Sequence, residues 1–254
     1  MRKDLIVGNW KMHATHLETI QMVQKLGYRL DYADYERVDV GICPPFTSLR
    51  SAQTVIETDH LEIKLGAQNV YFEEKGAYTG EIAPDMLSAL SVSLVIVGHS
   101  ERREIFGETD EIVNRKVKAV LAAGMTPILC CGETEQERED GVTEDKIGRQ
   151  VRAGLAGLTA EQIAGLVVAY EPIWAIGTGR TASDDDAGAM ATFVRATIAN
   201  VVGDAAESTR ILYGGSMNPG NVAGLMAKQD IDGGLVGGAS LDPDTFASVI
   251  RYWV

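Results

Sequence analysis

The feature that most constrains this chain is a series of eight short runs of aliphatic and β-branched residues, spaced along the whole sequence. Within each run the apolar residues are continuous rather than alternating, which is typical of strands buried on both faces of a parallel sheet. The runs are 5–8, 38–42, 63–67, 94–98, 126–130, 166–170, 210–213 and 235–237. We therefore expect eight parallel strands.

Stretches with helical spacing of apolar residues separate the runs. In the segment 109–123, Thr109 is the predicted N-cap and Gly124 follows the last apolar residue, where a glycine can end the helix. In the segment 183–202, Ser183 is the predicted N-cap and the acidic run 184–186 complements the positive helix end. The acidic stretch 133–140 is predicted to form solvated helix surface.

Strand and helix alternate through the chain with no Ser/Pro-rich linker, which predicts one domain over residues 1–254. An α/β barrel of this length fits in one domain. Eight strands favour closure into a (β/α)8 barrel, eight parallel strands surrounded by helices, because a closed sheet has no unpaired edge. An open doubly wound sheet is the alternative at this point.

Charge and cysteine usage exclude several classes of protein. A net charge of -13 argues against a nucleic-acid partner, which needs clustered cationic surface. The three cysteines, Cys43, Cys130 and Cys131, form no disulfide framework and no zinc pattern, as expected in a reducing compartment. No apolar stretch is long enough for a signal peptide or a membrane span, so we expect a cytoplasmic protein with no membrane partner.

Polar residues follow three of the predicted strands. Asn9 and Lys11 come after the first, His99 after the fourth and Glu171 after the sixth. In parallel barrels the chemistry lies at the carboxyl ends of the strands, so these side chains are candidates for one active site. A carboxylate directly after the apolar run 166–170 would be partly desolvated, which makes it a better base. The structural alternatives are a solvated lysine and a hydrogen-bonded structural histidine.

Glycines follow the seventh and eighth strands, in 213–216 and 237–238. Backbone N–H groups approach an anion closely at glycine, and barrels commonly bind phosphate with these two loops. Tight turns would explain each glycine pair equally well. The segment 172–182 has a stiff, apolar start followed by two glycines, which suits a lid that moves as a unit, although an ordinary apolar loop has the same composition.

Five motifs resemble the triosephosphate isomerase family, in the order found there: GNWKM at 8–12, GHSERR at 98–103, YEPIWAIGTG at 170–179, YGGS at 213–216 and LVGGASL at 235–241. The resemblance implies a TIM barrel that interconverts dihydroxyacetone phosphate and glyceraldehyde 3-phosphate without a cofactor. It also implies a homodimer whose small-molecule partners are triose phosphates.

The resemblance assigns roles to individual residues. Glu171 is implied as the catalytic base and His99 as the neutral electrophile, while Lys11 and Asn9 stabilise charge on the substrate oxygens. Glu101 is implied to order Lys11, and Cys131 to pack behind the base. The implied phosphate ligands are backbone N–H groups of Gly177, Ser216, Gly237 and Gly238. The implied lid residues are Pro172, Ile173, Trp174, Arg180, Thr181 and Ala182.

A dimer loop is implied at 68–81, with Thr79 reaching the neighbouring active site. Two residues depart from the family pattern: Arg180 stands where lysine is common and Gly234 where a bulkier residue is usual.

His13 and His16 are one helical turn apart but lack a third ligand, so no metal is expected. A Schiff-base aldolase, a flavin-dependent barrel and a binding barrel without catalytic activity are the other interpretations.

Overall fold

The computed structural model describes residues 2–176 and 181–254 and contains a closed, all-parallel barrel of eight strands. The strands are β1 Asp4–Asn9, β2 Val38–Cys43, β3 Ile63–Ala67, β4 Leu94–Val97, β5 Thr126–Cys131, β6 Val167–Tyr170, β7 Arg210–Tyr213 and β8 Gly233–Val236. Each strand pairs with the next along the chain, and β8 pairs with β1. The predicted (β/α)8 barrel is confirmed, and the open-sheet alternative is wrong.

Helices connect the strands and surround the barrel. They are α1 His16–Arg29, α2 Tyr32–Arg37, α3 Leu49–Thr58, α4 Pro84–Ser88, α5 Ser100–Glu104, α6 Asp110–Ala122, α7 Glu135–Glu139, α8 Thr143–Leu155, α9 Ala160–Gly165, α10 Asp184–Val202, α11 Val222–Met226 and α12 Pro243–Ile250. The predicted N-caps are confirmed, because the Thr109 hydroxyl accepts from the Ile112 N–H and Ser183 accepts from the Asp186 N–H. Gly124 follows α6 with a φ of 73°.

Barrel closure depends on a close approach between β1 and β8. Leu5 pairs with Gly233, which has a φ of 145°. A Cβ atom on Gly233 would lie 1.8 Å from the Leu5 carbonyl oxygen, so no other residue fits there without moving the backbone. Gly234, one of the two departures from the family pattern, lies in β8. Met217 fills the space that a side chain would occupy there: its Sδ atom lies 2.5 Å from where a Cβ atom on Gly234 would be.

The core has two parts, separated by the strands. One cluster, which includes Leu5, Val7, Ile96 and Leu212, comes from alternate strand positions and fills the barrel. A larger cluster packs the outer face of the strands against the helices. Because both faces are covered, the strands show the continuous apolar runs from which they were predicted.

The prediction for the acidic stretch 133–140 is wrong at its first residue. Glu133 has a relative exposure of 0%, and its Oε1 accepts hydrogen bonds from Tyr170 Oη at 3.1 Å and Trp174 Nε1 at 2.9 Å. Burial raises the pKa of Glu133 above its ordinary value, although these hydrogen bonds oppose the shift. Charge patterning along the sequence could not distinguish this residue from the solvated carboxylates that follow it.

A buried ion-pair network ties α10 to the segment before β8. Arg195 is 6% exposed, and its guanidinium contacts Asp230 at 2.6 Å and Asp232 at 2.8 Å. It also donates to the carbonyl oxygens of Ala206 at 2.8 Å and Thr209 at 3.0 Å. One side chain therefore satisfies four acceptors near the start of the last two strands.

We predict that Arg195→Met lowers the free energy of unfolding by about 3–5 kcal/mol, because it leaves two carboxylates without their buried partner. Urea unfolding at neutral pH measures the change. Arg149→Met is the matched control, since the Arg149 side chain is 63% exposed and its ion pair with Asp110 is 3.5 Å long. If Arg149→Met lowered the free energy of unfolding as much as Arg195→Met does, the stabilising role of Arg195 would be contradicted.

The same network predicts a pH dependence. Burial raises the pKa of Asp230, but hydrogen bonds from Thr192 and Arg195 outweigh it and hold the pKa below its ordinary value. Stabilisation from a lowered pKa is present above the unfolded value of about 3.9 and is lost as pH falls through the folded value. Unfolding free energies measured from pH 7 to pH 3 should therefore fall less steeply below about pH 4 in Arg195→Met than in the parent chain.

Candidate active site

The carboxyl ends of the strands surround a cavity of about 310 Å³ at one mouth of the barrel. Its wall brings together residues that lie more than 200 positions apart in the sequence. Among the lining residues are Asn9, Lys11, His99, Ser216, Gly237 and Gly238. Six of the residues named from the sequence therefore share one cavity.

Lys11 has an unusual backbone conformation, with a φ of 51° that non-glycine residues rarely adopt. Its N–H donates to Asn9 Oδ1 at 3.1 Å, and its Nζ contacts Glu101 Oε1 at 2.7 Å. Gln68 Nε2 donates to the Lys11 carbonyl at 2.7 Å and to the Cys43 carbonyl at 2.8 Å. These contacts hold the strained residue in place. Gln68 is the first residue of the implied dimer loop, and its contact with Lys11 was not predicted from the sequence.

His99 is the N-cap residue of α5 and is 6% exposed. Its Nδ1 accepts the Glu101 N–H at 3.2 Å, while its Nε2 lies 2.9 Å from Glu171 Oε1. Burial lowers the pKa of His99, but the adjacent Glu171 carboxylate outweighs burial and raises it. Since Nδ1 can accept a hydrogen bond only while unprotonated, the backbone favours the tautomer with hydrogen on Nε2.

Glu171 follows β6 directly and is 2% exposed. One carboxylate oxygen faces His99, and the other accepts the Ser100 N–H at 2.9 Å. Glu171 does not line the cavity, although His99, which it contacts, does. A Cβ on Gly132 would lie 1.9 Å from the Glu171 carbonyl oxygen, and one on Gly214 would lie 2.9 Å from Glu171 Cγ. Glu171 can therefore occupy this position only because residues 132 and 214 have no side chain.

Cys131, at the end of β5, is 1% exposed and adjoins the backbone that carries Glu171. The Glu171 N–H donates to the Cys131 carbonyl at 2.7 Å, and Cys131 pairs with Tyr170 in the ladder. Burial raises the pKa of the Cys131 thiol to about 12. The side chain is therefore a neutral packing group at neutral pH.

The two glycine loops form the opposite wall. Ser216 follows β7, and Gly237 and Gly238 follow β8. Within residues 2–176 and 181–254, no acceptor is found for the backbone N–H groups of these three residues. The position of a Cβ on Gly237 would be 3.7 Å from Lys11 Cε, so an anion at this wall would lie beside the lysine. A phosphate fits this chemistry.

Of the described residues in the predicted lid, Ile176 lines the cavity. Residues Ile173–Ala175 form a 3-10 turn whose Trp174 is held by Glu133, and Ala182 is 6% exposed. Pro172 precedes the turn and Thr181 is exposed. Gly177 and Arg180, predicted as a phosphate ligand and a hinge residue, lie outside the described residues.

Thr79 is exposed and does not line the cavity of its own chain.

Among the described residues there is no cluster of three or more potential metal ligands. None of the described helices combines the length and the apolar character needed to cross a membrane.

Comparison with known proteins agrees with the geometry. The family model described as triosephosphate isomerase matches residues 4–253. A triosephosphate isomerase from Streptomyces coelicolor is 51% identical over 252 residues, covering 99% of this chain and 98% of the relative. Those from Clostridium perfringens and Endomicrobium trichonymphae are 51% and 52% identical, each over 99% of this chain and 100% and 99% of the relative. The chain belongs to the triosephosphate isomerase family.

Proposed function

We propose that Glu171 and His99 interconvert dihydroxyacetone phosphate and D-glyceraldehyde 3-phosphate at this cavity, by proton transfer between adjacent carbons. The observation that carries the proposal is the 2.9 Å contact between Glu171 Oε1 and His99 Nε2. His99 lines a cavity whose opposite wall has backbone N–H groups with no acceptor among residues 2–176 and 181–254. A carboxylate base beside an imidazole N–H is the pair that enolisation requires.

In the forward direction the Glu171 carboxylate turns from the Ser100 N–H toward the cavity and removes a proton from C1 of dihydroxyacetone phosphate. The electron pair of that C–H bond forms the C1–C2 double bond. The carbonyl oxygen at C2 becomes the enediolate oxygen, to which His99 Nε2–H donates a hydrogen bond. Protons then redistribute between the two oxygens, and Glu171 returns a proton to C2. No electron acceptor is needed, so no cofactor takes part.

Lys11 and Asn9 stabilise the negative charge that develops. The Lys11 ammonium lies beside the proposed phosphate wall, held there by Glu101 at 2.7 Å. Fixed charges of this kind favour the transition state because they need no reorganisation when the charge forms. Ser216, Gly237, Gly238 and Gly177 bind the phosphate through backbone N–H groups, and the lid closes over it and excludes water.

We further propose that the chain acts as a homodimer in the cytoplasm, a reducing compartment that suits its three free, buried cysteines. A second cavity, of about 210 Å³, is lined in part by Lys11, Gln68, Glu101 and Phe106. Large apolar side chains around it are exposed, with Met12 at 95% and Phe106 at 64%. A partner's loop, inserted there with Thr79 at its tip, would cover them.

A Schiff-base aldolase would need a lysine at the end of β6, where Glu171 stands. The chain therefore lacks the amine that this alternative requires at that strand end. A binding barrel without catalytic activity would use the same N–H donors but would not depend on the Glu171 carboxylate for turnover.

We predict that Glu171→Gln lowers kcat by about a hundred- to ten-thousandfold, the contribution typical of a general base, because an amide cannot accept the substrate proton. A coupled assay of glyceraldehyde 3-phosphate isomerisation measures the loss. Glu111→Gln on the exposed face of α6 is the matched control and should retain full activity. Retention of phosphoglycolate binding by Glu171→Gln would show that the site is intact, whereas undiminished turnover would refute the role of the base.

We predict that Thr79→Arg converts the dimer to monomers and lowers kcat, because a bulky charge cannot enter the partner's cavity and Lys11 loses the proposed contact with the partner's loop. Sedimentation equilibrium and the same assay, run over a dilution series, give mass and activity together. Thr54→Arg, on the exposed face of α3, is the matched control and should remain dimeric. A fully active monomer would contradict the proposal.

A further inference from the structure

Gly234, one of the two departures from the family pattern, differs from its neighbour Gly233 in what excludes a side chain. Gly233 has a positive φ and approaches the Leu5 carbonyl, so the main chain itself excludes a side chain there. Gly234 does not have a positive φ. The three atoms closest to its Cβ position all belong to side chains: Met217 Sδ at 2.5 Å, Met217 Cε at 2.8 Å and Val236 Cγ2 at 3.4 Å. Met217 is therefore what closes the space at Gly234.

Met217 lies between the outer core and the substrate cavity. Its side chain is 3% exposed and belongs to the cluster that packs the outer face of the strands. The residue also lines the cavity of about 310 Å³, together with Ser216 and Gly237 of the proposed phosphate wall. Because Gly234 pairs with Tyr213, the last residue of β7, Met217 reaches it from the loop that begins there.

The backbone on both sides of Met217 is held by one amide side chain. Asn221 Nδ2 donates to the Ser216 carbonyl at 2.8 Å, and the Asn218 N–H donates to Asn221 Oδ1 at 2.8 Å. A side chain added at 234 would therefore displace the thioether, the flexible end of Met217, rather than the loop. The cavity is open space that Met217 borders, so we expect the displaced thioether to enter it.

We propose that Gly234 and Met217 are a volume-matched pair that sets the room for phosphate at this wall of the cavity. Because position 234 has no side chain, the Met217 thioether stays in the core and does not crowd the Ser216 N–H. The inference rests on the proposed function, in which that N–H binds the substrate phosphate. Both are positioning residues, since they act on affinity through the space beside the phosphate and not on the reacting carbons.

For Gly234→Ala we expect the inhibition constant of phosphoglycolate and KM for glyceraldehyde 3-phosphate to rise at least about fivefold, the fold-change that corresponds to the smallest usual cost of overpacking. The value of kcat should change much less, because the displaced thioether weakens binding of the substrate and of the transition state alike. Loss of folded protein alone would instead lower kcat and leave KM unchanged. A coupled isomerisation assay, with and without phosphoglycolate, measures all three constants.

Gly27→Ala, in α1, is the matched control. A Cβ on Gly27 would meet Leu61 Cδ2 at 2.7 Å and Leu61 Cδ1 at 2.9 Å, so the flexible end of one side chain is crowded there as it is at Gly234. Neither Gly27 nor Leu61 lines the substrate cavity. This substitution should therefore leave KM and the inhibition constant unchanged.

A double-mutant cycle tests the pairing itself. Met217→Ala removes the two atoms that crowd position 234, so in that background Gly234→Ala should not change the inhibition constant. Met217→Phe overfills the same space from the other side and should raise the inhibition constant as Gly234→Ala does. It therefore tests the same space if Gly234→Ala fails to fold.

The proposal would be overturned by an unchanged inhibition constant in Gly234→Ala, or by the same rise with and without the Met217 side chain. A rise in Gly27→Ala as large as that in Gly234→Ala would also overturn it. If Gly234→Ala does not fold, an unchanged constant in Met217→Phe has the same consequence. A parent chain that does not isomerise glyceraldehyde 3-phosphate would overturn the proposed function and this inference with it, whereas the other outcomes leave the proposed function standing.

Discussion

Closure of the parallel ladder between β1 and β8 is the constraint on which the rest of the molecule depends. A closed parallel sheet directs all eight carboxyl ends to one rim, so residues separated by most of the chain become neighbours. Asn9 and Gly237 share a cavity for this reason. The closure itself needs a residue without a side chain at 233, where the β1 backbone approaches.

At that rim, burial and paired charge hold the proposed catalytic groups. Glu171 is almost completely shielded from solvent. The Ser100 N–H and the His99 imidazole replace the hydrogen bonds that its carboxylate would make with water. Lys11 is held in a backbone conformation that costs of order 1–3 kcal/mol, which the hydrogen bonds around it sustain. Contacts within the protein therefore hold both side chains in place.

Much of this could be predicted because it is local. All eight strand runs correspond to strands, and β3 and β7 have the predicted bounds, since continuous apolar runs report burial on both faces. The caps at Thr109 and Ser183 followed from hydroxyl side chains in front of helical spacing. Asn9, Lys11, His99 and Glu171 stood out because each follows a strand, and the family motifs then supplied roles for them.

The sequence by itself determined the order of strands and helices, the family, and the residues offered at each strand end. Tertiary structure alone decided which of the many carboxylates are buried, which is why Glu133 was taken for solvated surface and proved to be enclosed by Tyr170 and Trp174. It also decided that Gln68 reaches the Lys11 carbonyl and that Arg138 meets both Trp174 and Asp186. Exposure and long-range contact depend on elements that are distant in the chain, and no local pattern encodes the distance between them.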